Sequence, residues 1–277
     1  MTKELERKLL RLRHNIRDRG SLAIGFSGGV DSTLLLRVAH DVLGDRVLAV
    51  TEMSELHPTA ELEEARALAS QIGVRLAVVE SAPLGSDRIV SNPPDRCYHC
   101  KRRIFARIAE AAREQGIENV ADGTNADDAT AHRPGLRAAA ELGVIRPLHD
   151  AGLTKQDVRD LSRELGLPTW DKPAYACLAT RFPYGRRLDP AGLKMVERAE
   201  AFLHDLGFRQ CRVRHHGEIA RIEVEPGRIP EAASPEVAGR VGEHLRALGF
   251  RYVTLDLAGY RSGSFDDLAG DEQKAGV

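Results

Sequence analysis

Aromatic residues are scarce in this chain: they make up 5% of 277 residues, with a single tryptophan. Nucleic-acid surfaces combine excess positive charge with aromatic stacking faces. The shortage, with a net charge of −1, therefore argues against a nucleic-acid partner. Long apolar runs are missing too. Nothing approaches the roughly 18 residues a membrane span needs, and the charged N-terminus lacks the apolar stretch of a secretory signal. A cytoplasmic, reducing location is expected. Four cysteines in such a place read as ligands or reactive thiols before they read as disulfides. Two phosphate fingerprints are also absent, Gly-x-x-x-x-Gly-Lys-Ser/Thr and Gly-x-Gly-x-x-Gly.

What the chain does have is a 42% hydrophobic content, ample for a core, and a length that suits one large or two modest domains. It also has Ser27-Gly28-Gly29-Val30-Asp31-Ser32. An apolar run, Leu22–Phe26, precedes this stretch, and an apolar-periodic segment through Leu43 follows it. That is strand, glycine turn, helix start. Paired glycines let backbone N–H groups turn inward without a Cβ clash, and the helix N-terminus adds partial positive charge. The result is an anion cradle suited to phosphate. Ser27 and Ser32 add hydroxyls, and Asp31 can hold Mg²⁺ or orient the loop.

Strands are expected at 22–26, 46–51, 74–80, 119–122 and 144–148, with helices at 2–18, 59–72 and 155–165. The first helix should bury Leu5, Leu9, Leu10, Leu12 and Ile16. This alternation predicts an α/β fold: a mostly parallel, doubly wound sheet covered on both faces. Ligands then sit outside the carboxyl ends of the strands. Thr51-Glu52 occupies one such end, where an adenosine would lie. Asp122–Asp128 occupies another, with Gly123, Thr124 and Asn125 as a second wall of a nucleotide site and Asp127 or Asp128 near Mg²⁺.

Pro168–Arg187 is irregular. Beyond it the order becomes αββαβ, with Asp189-Pro190 and Ser234-Pro235 opening helices, and a smaller C-terminal α+β domain follows. We therefore expect a nucleotide domain over 1–172, an active-site linker over 173–187 that carries Cys177, a small domain over 188–267 and a tail over 268–277.

Cys97-Tyr98-His99-Cys100 is expected just before a helix beginning near Lys101, a setting that favours thiolates. It reads as a zinc half-site, a redox pair or iron–sulfur ligands. No second C-x-x-C completes a four-cysteine zinc site, and no thioredoxin-like context surrounds the pair. Cys177 lies in a proline-bounded segment four residues before Arg181, a placement for reactivity. Arg212 and Arg214 alternate onto one strand face, near Arg181 and Arg187 in sequence. Their forks suit a phosphate, or else ion pairs with Glu223 or Glu225. Glu200 can serve a metal or one of these arginines.

The glycine loop resembles the PP-loop of ATP pyrophosphatases, which cleave ATP between its α and β phosphates. Several further motifs follow it: Asp122-Gly123-Thr124-Asn125, Arg133-Pro134-Gly135, Lys172-Pro173-Ala174, Cys177-Leu178-Ala179-Thr180-Arg181 and Arg212-Val213-Arg214. In that order the chain is similar to the LarE family from about residue 20 to 265. These are ATP-dependent sulfur transferases that help build the nickel-pincer nucleotide cofactor of lactate racemase.

The resemblance implies that a carboxylate of a pyridinium dicarboxylate mononucleotide attacks the α-phosphate of ATP. Pyrophosphate leaves, an acyl-adenylate forms, and sulfur then displaces AMP to give a thiocarboxylate. It implies that Ser27, Gly28, Gly29, Asp31 and Ser32 hold pyrophosphate with Mg²⁺, and that Thr51, Gly123, Thr124 and Asn125 complete the ATP site. It implies that Cys177 delivers sulfur and that Arg181, Arg212 and Arg214 hold the substrate phosphate. The sulfur is either the Cys177 sulfur itself, leaving dehydroalanine, or a sulfide on a [4Fe–4S] cluster held by Cys97, Cys100 and Cys177; the cysteine count favours the cluster. It also implies an assembly of several subunits around a small-molecule substrate. A tRNA-thiolating enzyme, an ammonia-using synthetase of the GMP-synthetase kind and a non-catalytic nucleotide-binding regulator are the competing readings.

Overall fold

The computed structural model describes residues 1–130, 134–173 and 176–261. Arg133, Ala174, Tyr175 and the expected tail lie outside the described residues. In chain order the elements are α1 (Lys3–Arg17), β1 (Leu22–Gly25), α2 (Val30–Leu43), β2 (Val47–Met53), α3 (Thr59–Ile72), β3 (Arg75–Glu80), α4 (Asp87–Val90), α5 (Arg96–Glu114), β4 (Val120–Ala121), α6 (Pro134–Glu141), α7 (Pro147–Asp150) and α8 (Lys155–Glu164). There follow α9 (Pro190–Asp205), β5 (Cys211–His216), β6 (Ile219–Val224), α10 (Ile229–Ala232), α11 (Pro235–Ala247) and β7 (Tyr252–Leu255). The chain forms two compact units. One comprises Met1–Ala82 with Cys97–Tyr175, the other Pro83–Arg96 with Ala176–Val277. Among the described residues no helix is long and apolar enough to cross a membrane.

In the first unit four parallel strands lie in the order β3-β2-β1-β4. Alternation along each strand sorts the side chains to two faces. Leu22, Ile24, Val47 and Ala49 join a core with α1, α2 and α8, whereas Ala23, Leu48 and Val50 join one with Phe105, Ile108 and Ala112 of α5. Helices thus cover both faces, as expected of a doubly wound sheet. In the register, Gly25 of β1 stands beside Val50 of β2. The two strand ends therefore release their chains side by side.

Three local expectations are corrected. The strand at 144–148 is a single bridge between Ala121 and Ile145, because Pro147 has no N–H for a ladder and instead opens α7. Leu10 is 63% exposed, because its 100° steps carry it away from the face shared by Leu5, Leu9, Leu12 and Ile16. The helix expected near Lys101 starts at Arg96, so Cys97 and Cys100 lie within its opening residues rather than ahead of it.

In the second unit β5 and β6 are antiparallel, and β7 adds in parallel. α9 and α11 pack on this sheet through Leu203, Phe208, Val213, Ile222 and Leu245. Segment 83–96 belongs to this unit. Asn92, fully buried at φ 54°, donates through Nδ2 to the carbonyls of Phe182 and Pro183 at 3.3 and 2.8 Å. Asparagine tolerates this left-handed backbone better than most residues.

Thr154 and Asp157 cap α8 reciprocally, and Lys8 on α1 reaches the same Asp157 carboxylate at 2.6 Å. Burial alone would raise the Asp157 pKa, but bonds from Lys8 and Thr154 outweigh it and hold the group below its ordinary 3.8. A depressed carboxylate contributes stability above the unfolded pKa and loses it as pH falls through the folded one. Asp157→Asn should therefore cost about 1 kcal/mol at neutral pH. In urea titrations at stepped pH, the deficit should shrink as the pH drops below 3.8.

Candidate active site

The glycine loop leaves β1 at its carboxyl end. Phe26 donates its N–H to Val50 O at 2.8 Å, and Thr51 Oγ1 donates to Phe26 O at 2.6 Å. Both tie the loop's root to β2. Gly28 then adopts φ 67°, a left-handed conformation that glycine takes without strain. Gly29 precedes the first turn of α2. The Ser27 and Ser32 hydroxyls lie 3.2 Å apart, and Ser32 Oγ donates to Gly29 O at 3.3 Å.

The start of α2 differs from that of most long helices here. Thr2, Thr154, Asp189 and Ser234 cap α1, α8, α9 and α11 through their side chains. No side chain caps α2. The first N–H groups of a helix need acceptors, and an uncapped, positively polarised end following a glycine turn is a place for an anion. It opens on a cavity of about 440 Å³.

Of the expected nucleotide residues, Ser27, Gly29, Asp31, Ser32, Thr51, Gly123, Thr124 and Asp128 line that cavity; Gly28, Asn125 and Asp127 do not. Gly123 is where it is for steric reasons. A Cβ there would sit 2.9 Å from Ser32 N, so only glycine lets the end of β4 pass so close to α2. Asn125 works from behind: its Nδ2 donates to Asp31 Oδ1 at 3.0 Å, while its Oδ1 accepts the N–H groups of Asp127 and Asp128. Asp127 Oδ2 accepts the Lys155 N–H at 2.8 Å, at the start of α8. The structure thus separates the two aspartates, and only Asp128 faces the cavity.

Two lysines complete the loop's surroundings. Lys155 Nζ bonds the second Asp31 oxygen. Lys172 Nζ donates to Gly28 O at 3.0 Å and pairs with Glu64 at 2.6 Å. Sequence reasoning assigns no role to Lys155, yet a signal is there. A lysine in the first turn of a helix opposes the dipole, so something else must hold it. Farther along the cavity wall, His57 is pushed down to about 4 by burial and by the charge of Lys101.

In the second unit, half-buried Cys177 opens a short turn, Leu178–Arg181. Arg181 is buried and grips Glu200 with two nitrogens, at 2.9 and 2.8 Å. Its Nη1 donates to the carbonyls of Ala176 and Cys177 at 2.7 and 3.2 Å. Arg214 grips Glu223 in the same way, at 3.0 and 2.8 Å, and gives its Nη1 to Thr180 O at 2.8 Å. Burial would raise the Glu200 pKa, but Arg181 and Arg212 overcome this and hold it below the usual carboxylate range.

The described contacts of Arg181 and Arg214 are thus ion pairs with Glu200 and Glu223. Every guanidinium nitrogen of Arg181 and Arg214 has an acceptor within its own unit. Arg212 is also buried: it donates to Cys211 O at 2.6 Å and lies 5.2 Å from the Tyr260 ring. What the two outer arginines do hold is the backbone of the Cys177 turn. Cys211, by contrast, is fully buried, and burial with the nearby Glu200 charge pushes its thiol pKa up. It is a packing residue.

Cys97 is exposed and Cys100 half-buried. Three residues apart on a helix, they share a face. Among the described residues no three His, Cys, Asp or Glu side chains form a group able to hold a metal ion.

Residues 4–96 match the family model described as NAD synthase. A subunit of the glutamine-hydrolysing GMP synthase of Methanococcus vannielii is 34% identical over 52% of this chain and 50% of its own. Two relatives match nearly end to end. An uncharacterised protein of Synechocystis is 41% identical over 95% of this chain and 98% of its own. The pyridinium-3,5-bisthiocarboxylic acid mononucleotide synthase of Lactiplantibacillus plantarum is 41% identical over 94% of each chain. At that identity and coverage, the chain belongs to the family of that synthase, the LarE family of PP-loop ATP pyrophosphatases.

Proposed function

We propose that this protein is an ATP-dependent sulfur transferase that converts a carboxylate of pyridinium-3,5-biscarboxylic acid mononucleotide into a thiocarboxylate. The observation that carries the reading is the uncapped N-terminus of α2 behind the Ser27–Ser32 turn, opening on a cavity large enough for a nucleotide.

In this reading the backbone N–H groups at Gly29 and the start of α2 hold the β and γ phosphates, helped by the Ser27 and Ser32 hydroxyls. Asp31, fixed by Asn125 and Lys155, and the cavity-facing Asp128 are hard oxygen donors that suit Mg²⁺. Bound there, the ion would neutralise charge on departing pyrophosphate. The substrate carboxylate attacks the α-phosphorus, the bond to the β-phosphate oxygen breaks, and pyrophosphate leaves an acyl-adenylate. The Cys177 thiolate then attacks the acyl carbon and expels AMP. Cleavage of the cysteine Cβ–S bond, with loss of the Cα proton, completes the thiocarboxylate and leaves dehydroalanine.

Cys177→Ala should accordingly retain ATP–pyrophosphate exchange in the presence of substrate and lose thiocarboxylate formation. Intact-protein mass spectrometry with product analysis reads both, and unimpaired product formation by the variant would reject the role.

Cys97 and Cys100 support a second sulfur source. With Cys177 they would supply three thiolates to a [4Fe–4S] cluster, which when bound would carry a transferable sulfide. What supports this version is the pair of thiols near the start of α5, which the one-cysteine route leaves unused. Anaerobic reconstitution should give brown absorbance that the Cys97→Ser/Cys100→Ser double variant lacks. A colourless wild-type protein that loses the mass of H₂S after one turnover would establish sacrifice instead. An assembly of several copies belongs to the same reading.

Arg181 and Arg214 are positioning residues for the Cys177 turn. Arg181→Met leaves the buried Glu200 charge with only the Val213 N–H and the nearby Arg212 charge to hold it and should cost about 3–5 kcal/mol in urea denaturation. Arg181→Met/Glu200→Leu, which removes both charges, should regain most of that stability without regaining sulfur transfer.

A further inference from the structure

One acidic side chain in the nucleotide cavity has no assigned work. Glu52 stands near the end of β2, on the strand face that carries Leu48 and Val50 toward α5. Its side chain is 6% exposed, and it lines the cavity. Ser81 donates its hydroxyl to Oε1. Oε2 is buried and accepts no hydrogen bond.

The neighbours do not supply one. His57 Nδ1 is 3.6 Å from Oε2, beyond hydrogen-bond range, and sits 3.1 Å from Ser54 Oγ instead. Lys101 places its ammonium over the Phe105 ring, 5.1 Å from the centroid. Burial pushes the Glu52 pKa up, against the opposing effects of Ser81 and Lys101. A buried acceptor left open costs stability, on the order of 1–3 kcal/mol, and such groups in native proteins call for an explanation.

The surroundings suggest what fills the gap. Leu62, Ile104, Phe105 and Ile108 line the same cavity, apolar side chains against which a flat ring can lie. A nucleotide held by its phosphates at Ser27–Ser32 has its base elsewhere in that cavity. We propose that Glu52 reads the nucleobase, its open Oε2 accepting a hydrogen bond from the exocyclic 6-amine of adenine. A base with a 6-oxo group would instead present an acceptor to an acceptor. This inference rests on the ATP reading above and adds to it the residue that selects adenine.

The test measures equilibrium binding of three Mg²⁺ nucleotides to the full chain: ATP, purine riboside triphosphate, which lacks the amine, and inosine triphosphate, which replaces it with oxygen. Wild-type protein should bind ATP at least about tenfold more tightly than purine riboside triphosphate, and inosine triphosphate more weakly still. In Glu52→Met, an apolar side chain of similar length, the three affinities should converge on the wild-type value for purine riboside triphosphate. Glu52→Ala serves if the methionine variant fails to give a native circular-dichroism melt. Equal wild-type affinities for the three, or a preference for ATP that survives in the variant, would overturn the role of Glu52 while leaving the ATP site standing. Failure of wild-type protein to bind any of the three would overturn the ATP reading itself.

Discussion

The start of α2 gives up a side-chain cap that most other long helices in this chain possess. That omission organises the first unit. Parallel pairing of β1 with β2 brings Gly25 beside Val50, and the bonds at Phe26 and Thr51 hold the loop root to the neighbouring strand. Gly28 then reverses the chain so that α2 begins at the sheet's carboxyl edge with its N–H groups open. A helix end of this kind attracts negative charge without a basic side chain in the loop. This is why the loop manages without the lysine of the common P-loop. Gly123 allows the arrangement from the other side, since any side chain there would push β4 off Ser32.

An anion cradle of backbone dipoles needs its acidic members held back. Asp31 lies in the first turn of α2, where its charge suits the dipole but would repel phosphate. Lys155 and Asn125 bind its two oxygens, which neutralises the charge and fixes its direction. Lys155 can do so because the Thr154–Asp157 capping box and the Lys8 bond settle the first turn of α8. Asp127 adds to the same tether through the Lys155 N–H. A helix cap, a salt bridge and a turn thus converge on one carboxylate.

Local features are the legible ones. The glycine loop, the doubly wound sheet and the proline-opened caps at Asp189 and Ser234 follow from spacing and turn chemistry alone. The strand expected at 144–148 fails because Pro147 outweighs the apolar run, and burial of Leu10 fails because apolar character says nothing of angle around the helix. The buried ion pairs are legible only as one alternative of two. Nothing within Arg181 or Arg214 distinguishes an arginine aimed at substrate from one sealed against Glu200 or Glu223, because burial is a property of the folded sheet and helix. Hence the sequence alone leaves phosphate binding and ion pairing side by side. The inclusion of 83–96 in the second unit likewise depends on distant contacts such as Asn92 with Phe182 and Pro183.

The buried carboxylates themselves separate support from recognition. Glu200 accepts from Arg181 on both oxygens and from the Val213 N–H at 2.8 Å. Glu223 accepts from Arg214 on both and from Arg221 at 3.1 Å. Each has both oxygens engaged by an arginine, and each serves through that arginine the turn that carries Cys177. Glu52 is closed on one oxygen and open on the other, in a wall that otherwise favours an apolar ring. Glu225 also has a buried oxygen without a partner, but the open oxygen of Glu52 belongs to a residue that lines the nucleotide cavity, where the missing donor can arrive with a ligand. On that reasoning the cost of the open oxygen is offset when the base binds, and so it counts toward selectivity rather than against the fold.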